Sequence, residues 1–449
     1  MATTNNLDVV QLAKINYGDL NSKVLPLDDL YINQDIPFSE KERVGQSYIE
    51  AIVLGSEVGI TFAGSGNELA NINPAIAGAV RQATITPYIS ALRSVIPWQA
   101  VSRTAGGAET AFLSASKHVV KNNMISHKRF LEIAKIYGQD TAKLLGRVSY
   151  ATATYRGVSL TAGAGTLVSP LFGSLTFATG GIVAATKHIL LAPGDNASGI
   201  WVGMQGVKVK QLLASDLSVV AEGKLVAYDS SMGILKVDFT PIAASATGSH
   251  ILCFEGMELS NEMIGIKKII KNTGTLFGIN AATYPLWQGN TVALGAVKLT
   301  MARLENAVAN AINAGGLSGD VVCYVNPRTF HNVISTELAS RQYDYSYDKK
   351  EIVSGGKAIR FAYADGDIIL KGHRYVMEGD ALVLRLEDWV NAGSQDIQMS
   401  IAGLPDSQIM YFLQEQMGYV FNTYSDQFML CRAPAKQILI DGINDESAS

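Results

Sequence analysis

Hydrophobic and polar positions divide this chain into stretches of different texture. Residues 1–44 are mixed and polar, broken by Pro26 and Pro37, and carry the charged cluster Glu40-Lys41-Glu42-Arg43. No spacing there suits a buried face, so the segment reads as an extended arm with a short helix near Leu7–Lys14. Termini of this kind commonly fray. From Ser47 to Phe62, the residues Tyr48, Ile49, Ile52, Val53, Leu54, Val58 and Ile60 predict a β run. A Gly/Asn-rich stretch from Gly64 to Pro74 follows, and a second β run covers Ala83–Ile96. Two strands with an irregular tip make a long hairpin, which is marginal in water by itself. A neighbouring chain is its expected support.

Residues 107–138 read as helix through Phe112, Leu113, Val119, Val120, Phe130, Ile133, Ala134 and Tyr137, with Gly138 as the stop. Gly, Ser, Thr and Ala dominate from Arg147 to Thr186, and 200–255 is plainly β. There Leu235–Phe239 alternates strictly after the turn-forming Asp229-Ser230-Ser231-Met232-Gly233. Residues 143–262 are therefore expected to form an inserted β-rich domain. Helical intervals return at Val297, Met301, Leu304, Val308 and Ile312, closed by Gly315-Gly316. A buried-type strand, Val321–Val325, runs into Asn326-Pro327, a cap and first-turn pair, and then a helix through Phe330, Val333, Ile334 and Leu338. Short strands are expected at Ile368–Leu370, Tyr375–Met377, Leu382–Leu384 and Ile438–Ile440. Met417–Tyr424 and Phe428–Cys431 flank an expected turn at Ser425-Asp426-Gln427.

Composition changes the picture in one respect. Of 449 residues 48% are hydrophobic but only 17% are charged, against a usual ~25%. So few charges imply that part of the surface meets other subunits. A net charge of −4 argues against a dedicated nucleic-acid binder. No apolar run reaches the ~18 residues of a membrane span, and the first residues lack the basic and apolar regions of a secretory signal. Cys253, Cys323 and Cys431 are far apart, without paired zinc spacing, and read as free thiols in a reducing compartment.

Candidate chemistry is sparse. Gly355-Gly356-Lys357-Ala358 lacks the spacing and hydroxyl of a phosphate loop, and Gly163-Ala164-Gly165 lacks the third glycine of a dinucleotide site. Neither a Gly-x-Ser-x-Gly elbow nor a His-Glu-x-x-His helix occurs. Cys323 and His331, on a strand and the helix after it, could pair as thiolate and imidazole, although a buried Cys usually serves as a small hydrophobe. Asp365-Gly366-Asp367 could offer oxygens to calcium but reads better as a hairpin turn. Lys267-Lys268-Ile269-Ile270-Lys271, the densest basic cluster, is expected to be one solvated helix face. Tyr343-Asp344-Tyr345-Ser346-Tyr347 suits packing or protein contacts better than base stacking. No catalytic, cofactor or metal site is expected.

The order of arm, long hairpin, helix, β insertion, helix–strand–Asn-Pro–helix and β tail resembles tailed-phage major capsid proteins of the Hong Kong 97-like fold, of the larger type with an inserted β-domain. Four stretches carry the resemblance: Asn326-Pro327-Arg328-Thr329-Phe330-His331-Asn332-Val333; Gly274-Thr275-Leu276-Phe277-Gly278-Ile279-Asn280 with Tyr284 and Trp287; Ile136-Tyr137-Gly138-Gln139; and Tyr424-Ser425-Asp426-Gln427-Phe428 through Pro434 to Gly442-Ile443. It covers about 45–443.

That resemblance implies an α+β shell subunit. Its parts would be an N-terminal arm (1–44), an extended loop (45–97), a peripheral-domain spine helix region (98–142), the inserted β-rich domain (143–262), an axial and peripheral α/β core (263–400) and closing strands (401–449). It implies self-assembly as hexamers and pentamers into an icosahedral shell around double-stranded DNA held non-specifically. Further expected partners are a portal and a separate scaffold or cement protein, with no membrane. The protein would be assembled in the host cytoplasm and end in the virion. Tyr48, Ile52, Val58, Ile60, Phe62, Ile85, Tyr88 and Arg93 are the expected assembly-interface residues.

Two departures from the family matter. Some members link subunits through a loop Lys and a neighbour's Asn, but this chain has no Lys from 42 to 116, so a non-covalent shell is expected. The front segment of some 44 residues is also too short for a fused scaffold. The rival readings are an encapsulin-like compartment enclosing protein cargo and an intracellular β-rich enzyme.

Overall fold

The structure, a computed structural model, describes residues 30–42, 45–62, 65, 71–98, 109–141, 144–149, 153–155, 158–161, 163–243, 249–258, 261–340, 358–399, 411–412 and 417–446. The expected helix near Leu7–Lys14 and the segments Tyr343–Tyr347 and Gly355–Lys357 lie outside these residues.

A six-stranded mixed sheet forms the centre. Its order is Asn290–Val297, Ile438–Ile443, Asp380–Leu384, Val321–Val325, Gly366–Gly372, Ala358–Tyr363. Val321–Val325 runs parallel to Gly366–Gly372 and antiparallel to Asp380–Leu384. Such near-continuous apolar runs belong to strands covered on both faces. Here period 2 assigns the faces. Val321, Cys323, Val325, Val383 and Ile440 share a core with Leu304, Val308 and Ala311 of the helix Met301–Gly315 and with Val333 of the helix Pro327–Ser340. Val322, Tyr324, Leu382, Leu384 and Leu439 face the opposite way, into a larger core built on the long helix Glu109–Tyr137.

Both caps read from sequence are present. Asn326 Oδ1 accepts the Arg328 N–H at 3.1 Å, while its amide nitrogen donates to Val376 O at 2.9 Å. Gly316, at φ +63°, closes the preceding helix by donating to Ile312 O. The Asp365 turn also forms, joining Tyr363 to Gly366.

Four expectations about strands and turns are corrected. Val297 ends a strand, not a helix; a register shift between Ala293 and Val297, with Gly295 and Ala296 both at positive φ, precedes the helix start at Met301. Tyr375–Met377 is a buried turn, not a strand, because the Tyr137 hydroxyl donates to Tyr375 O and accepts the Met377 N–H, each at 2.8 Å. No turn interrupts 425–427. Gly418–Cys431 is one strand, paired on one side with Trp389–Gln398 and on the other with Tyr88–Pro97. Two of its polar residues find partners inside the sheet: Ser394 Oγ donates to Asp426, and Gln427 Nε2 donates to Asp396 at 2.7 Å. Finally, the run Ala83–Ile96 breaks at Thr86-Pro87. Proline cannot donate to a ladder, and Tyr88–Pro97 leaves the hairpin for the long strand.

The region between the long helix and residue 262 carries its own sheet, ordered His250–Phe254, Lys208–Leu213, Val219–Asp229, Ile234–Val237, His188–Leu190, Ile182–Val183. The turn at 229–233 forms as read, Asp229 Oδ1 accepting from the Ser231 N–H and hydroxyl. Leu160, Leu167, Phe177, Leu190 and Ile234 make a local core. Trp201, Val209, Leu225 and Phe254, however, share the core of the long helix, where Phe254 meets Phe130 edge-on at 5.9 Å.

Both stems of this region meet in a neck. Gly265 N–H donates to Gly138 O at 2.9 Å, and a Cβ on Gly138 would fall 2.1 Å from Met263 O. Gln139, at φ +58°, turns the chain and gives its side-chain amide to Glu262 O at 2.7 Å. Burial pushes the Glu262 carboxyl up to about 8. Next to it the basic cluster departs from expectation. Lys267 is fully buried, its Nζ 2.7 Å from Asp380 Oδ2 and 3.3 Å from Asp140 Oδ2, and 5.0 Å from the Tyr137 ring centroid. The helix Ile266–Ile270 is only 5 residues long and turns Ile266, Ile269 and Ile270 inward; Lys267 follows them because carboxylates await it.

Replacing Gly138 by Ala is expected to destabilise the subunit by about 2–3 kcal/mol, read from denaturant unfolding, because backbone must move. Glu262 binds its proton more tightly folded than unfolded. The stability it contributes is thus complete below its ordinary value of 4.5 and lost as pH rises towards 8. Thermal melts of Glu262→Gln across that window should show a flatter pH dependence than the parent protein.

Candidate assembly surface

Alternation gives the remaining hairpin two unlike faces. Tyr48–Val53 and Val80–Ile85 pair antiparallel, Tyr48 opposite Ile85 and Val53 opposite Val80. One face is anchored: Ile52, Leu54, Ala83 and Ile85 are buried against Ile279, Trp287, Val390, Ala392, Phe428 and Leu430. Trp287 is fixed by donating to Leu276 O at 3.1 Å, and the Thr84 N–H reaches Phe277 O at 2.9 Å. At the base, Tyr48 packs on Phe428 with ring centroids 5.3 Å apart. Arg432 there joins Glu50 at 2.6 Å and Glu42 at 2.8 Å.

The opposite face is bare. Ile49, Val53 and Val80 project from the ribbon into solvent, Val53 with 70% of its surface exposed. Beyond the paired segment further apolar side chains are exposed: Val58 and Ile76, whose backbones bridge at 2.7 and 3.0 Å, and Ile60, Ile72 and Phe62, the last 87% exposed. Asn73 stitches this limb by donating its side-chain amide to Ile60 O at 2.9 Å. Among the described residues Tyr48–Val53 pairs with Val80–Ile85 alone, so its outer edge also stays open.

Among solved structures, the capsid asymmetric unit of cyanophage A-1(L) aligns with 98% of this chain and 99% of its own, at 9% identity and a TM-score of 0.52. The chain has a phage capsid fold of the Hong Kong 97-like type. The capsid of a native GTA particle covers 96% of this chain and 93% of its own (8% identity, TM-score 0.46), and Mycobacterium phage Adephagia covers 100% of both (9%, 0.43). No family model and no curated protein matches the sequence.

Of the eight residues expected at an interface of this capsid-fold chain, Val58, Ile60 and Phe62 lie on the bare limb. Ile52 and Ile85 do not: they are buried in the chain's own core. Tyr48 and Tyr88 are half-buried, and Arg93 is exposed on a different strand, Tyr88–Pro97. Ile49, Val53, Ile72, Ile76 and Val80 were not singled out. In Tyr48–Val53 the signal was the alternation itself, since Ile52 inward requires Ile49 and Val53 outward.

The polar side chains inside this capsid fold serve packing. Cys323 is buried in the central sheet and its thiol pushed up to about 12 by burial, whereas His331 is exposed on the following helix. His127 lies between the Ser90 and Thr423 hydroxyls at 2.8 and 2.9 Å, and burial holds it down at about 4. Buried Glu132 accepts the Ile32 and Asn33 N–H groups and bonds His373, each at 2.8–2.9 Å. This carboxylate thereby pins the helix Tyr31–Asp35 to the long helix. No group of metal-ligating side chains gathers among the described residues, and none of their helices is long and apolar enough to cross a membrane.

The two faces should respond differently to truncation. Ile85→Ala is expected to cost about 2–5 kcal/mol in denaturant unfolding of the subunit, and Ile60→Ala no more than about 0.5 kcal/mol.

Proposed function

We propose that this chain is a major capsid protein, a structural subunit that assembles with copies of itself, as hexamers and pentamers, into an icosahedral shell enclosing double-stranded DNA. The observation that carries the reading is the concentration of exposed large apolar side chains between Ile49 and Val80 on a chain with a capsid fold. Exposed apolar groups concentrated on one limb mark an interaction surface, and a neighbouring copy laid across it supplies the missing cover. In this reading residues 45–97 carry the extended loop, with Tyr88–Pro97 as the strand that returns it to the body, 98–142 act as the spine helix region and 143–262 as the insertion. A portal and a separate scaffold or cement protein complete the particle, which forms in the host cytoplasm. Subunits are held to one another without covalent links, because the Lys-free span 42–116 gives the loop no amine.

Electron microscopy of the assembled protein, with a nucleic-acid assay on the same fraction, tests this. Closed DNA-filled particles from infected cells support it. Shells packed with protein cargo point to a compartment instead, and a discrete oligomer that never forms shells contradicts it. Two outcomes follow for variants and particles. Val53→Asp combined with Ile60→Asp should leave subunit melting within a few degrees of the parent yet abolish particles in sedimentation. Mature particles should run as a single subunit band on a denaturing gel, without ladders.

A further inference from the structure

The neck holds an arrangement of reactive groups that shell formation does not call upon. Lys267 Nζ and Asp380 Oδ2 are in contact at 2.7 Å, with side chains 0% and 1% exposed. A second carboxylate, Asp140 Oδ2, stands 3.3 Å from the same nitrogen and is 4% exposed. The Tyr137 ring, 5.0 Å from Nζ, closes one side. Arg147 and Asp195 join the cluster through a 2.7 Å bond, so three carboxyl groups face two cations. An ammonium beside a carboxylate and an amine beside a carboxylic acid differ only by one proton. That proton can pass along the 2.7 Å contact between Nζ and Oδ2.

We propose that Lys267 and Asp380 condense into an isopeptide bond within one chain, with Asp140 as the proton relay. The unprotonated Nζ attacks Cγ of the protonated Asp380 carboxyl, forming the C–N bond. Asp140 takes a proton from that nitrogen and hands it to the departing hydroxyl; the C–O bond breaks and one water leaves. No oxidant, reductant or activated co-reactant is required. Contact geometry supplies the proximity that makes such a step unimolecular, positioned acid–base transfer lowers its barrier, and exclusion of water opposes the reverse reaction. The bond joins residues 113 positions apart, tying the C-terminal stem of the insertion to the central sheet. It stands independently of the shell reading and creates no link between subunits.

Intact-mass measurement of the denatured full-length protein tests it, followed by a tryptic map. The expected mass is one water below that of the sequence, with a branched peptide joining Lys267 to Asp380 and no cleavage after Lys267. Asp140→Asn and Lys267→Arg should each return the full mass of their own sequence. Parent protein at full sequence mass, cleaved normally after Lys267, overturns the bond whatever the variants do. Water loss persisting in Asp140→Asn overturns the relay.

Discussion

The constraint on which the structure turns is the neck, where a helix end, a returning stem and a central strand meet without room for side chains. Gly138 and Gly265 touch through backbone, and Lys267 fills the space behind them between Asp140 and Asp380. Burying these charges is costly, and removing one partner from such a cluster typically costs about 3–5 kcal/mol. The arrangement is therefore better understood as fixing geometry than as adding stability. It sets where the β-rich region leaves and rejoins the body. It also places the Tyr137 hydroxyl to hold the turn at Tyr375–Met377, from which Asp380–Leu384 enters the central sheet.

From that body the ribbon is carried asymmetrically. Its inner residues lie in a core with Trp287 and Phe428, while the ion pairs of Arg432 at its base are partly exposed. Pairs of that kind contribute about 0–1 kcal/mol, so apolar burial holds the ribbon and the charges orient it. A two-stranded ribbon covered on one face has no internal means of covering the other. Among the described residues nothing covers its exposed Ile, Val and Phe side chains, and in the proposed shell a neighbouring copy would do so.

Much of this was legible in the residues. Val321–Val325 with Asn326-Pro327 announced a buried strand and a capped helix, and the turns at Asp229 and Asp365 formed where short polar side chains and glycine requested them. Several of the misreadings share a cause: local chemistry was overruled by distant partners. Ser425-Asp426-Gln427 looks like a turn until strands on both sides bond to it. Lys267 looks solvated until Asp140 and Asp380, remote in sequence, are brought beside it. The exposed limb was half visible. Hydrophobicity named Val58, Ile60 and Phe62, but choosing between the faces of Tyr48–Val53 needed the strand register, which puts Ile52 inside and Ile49 and Val53 outside.

Hydroxyl-radical footprinting of Val53, Ile60 and Phe62, compared between dissociated subunits and assembled particles, bears most directly on the claim that this face meets a neighbouring copy. Heavy labelling in the free subunit and strong protection in the particle is the expected result. Equal labelling in both states would mean that the ribbon remains bare after assembly, and its role as the assembly surface would have to be abandoned.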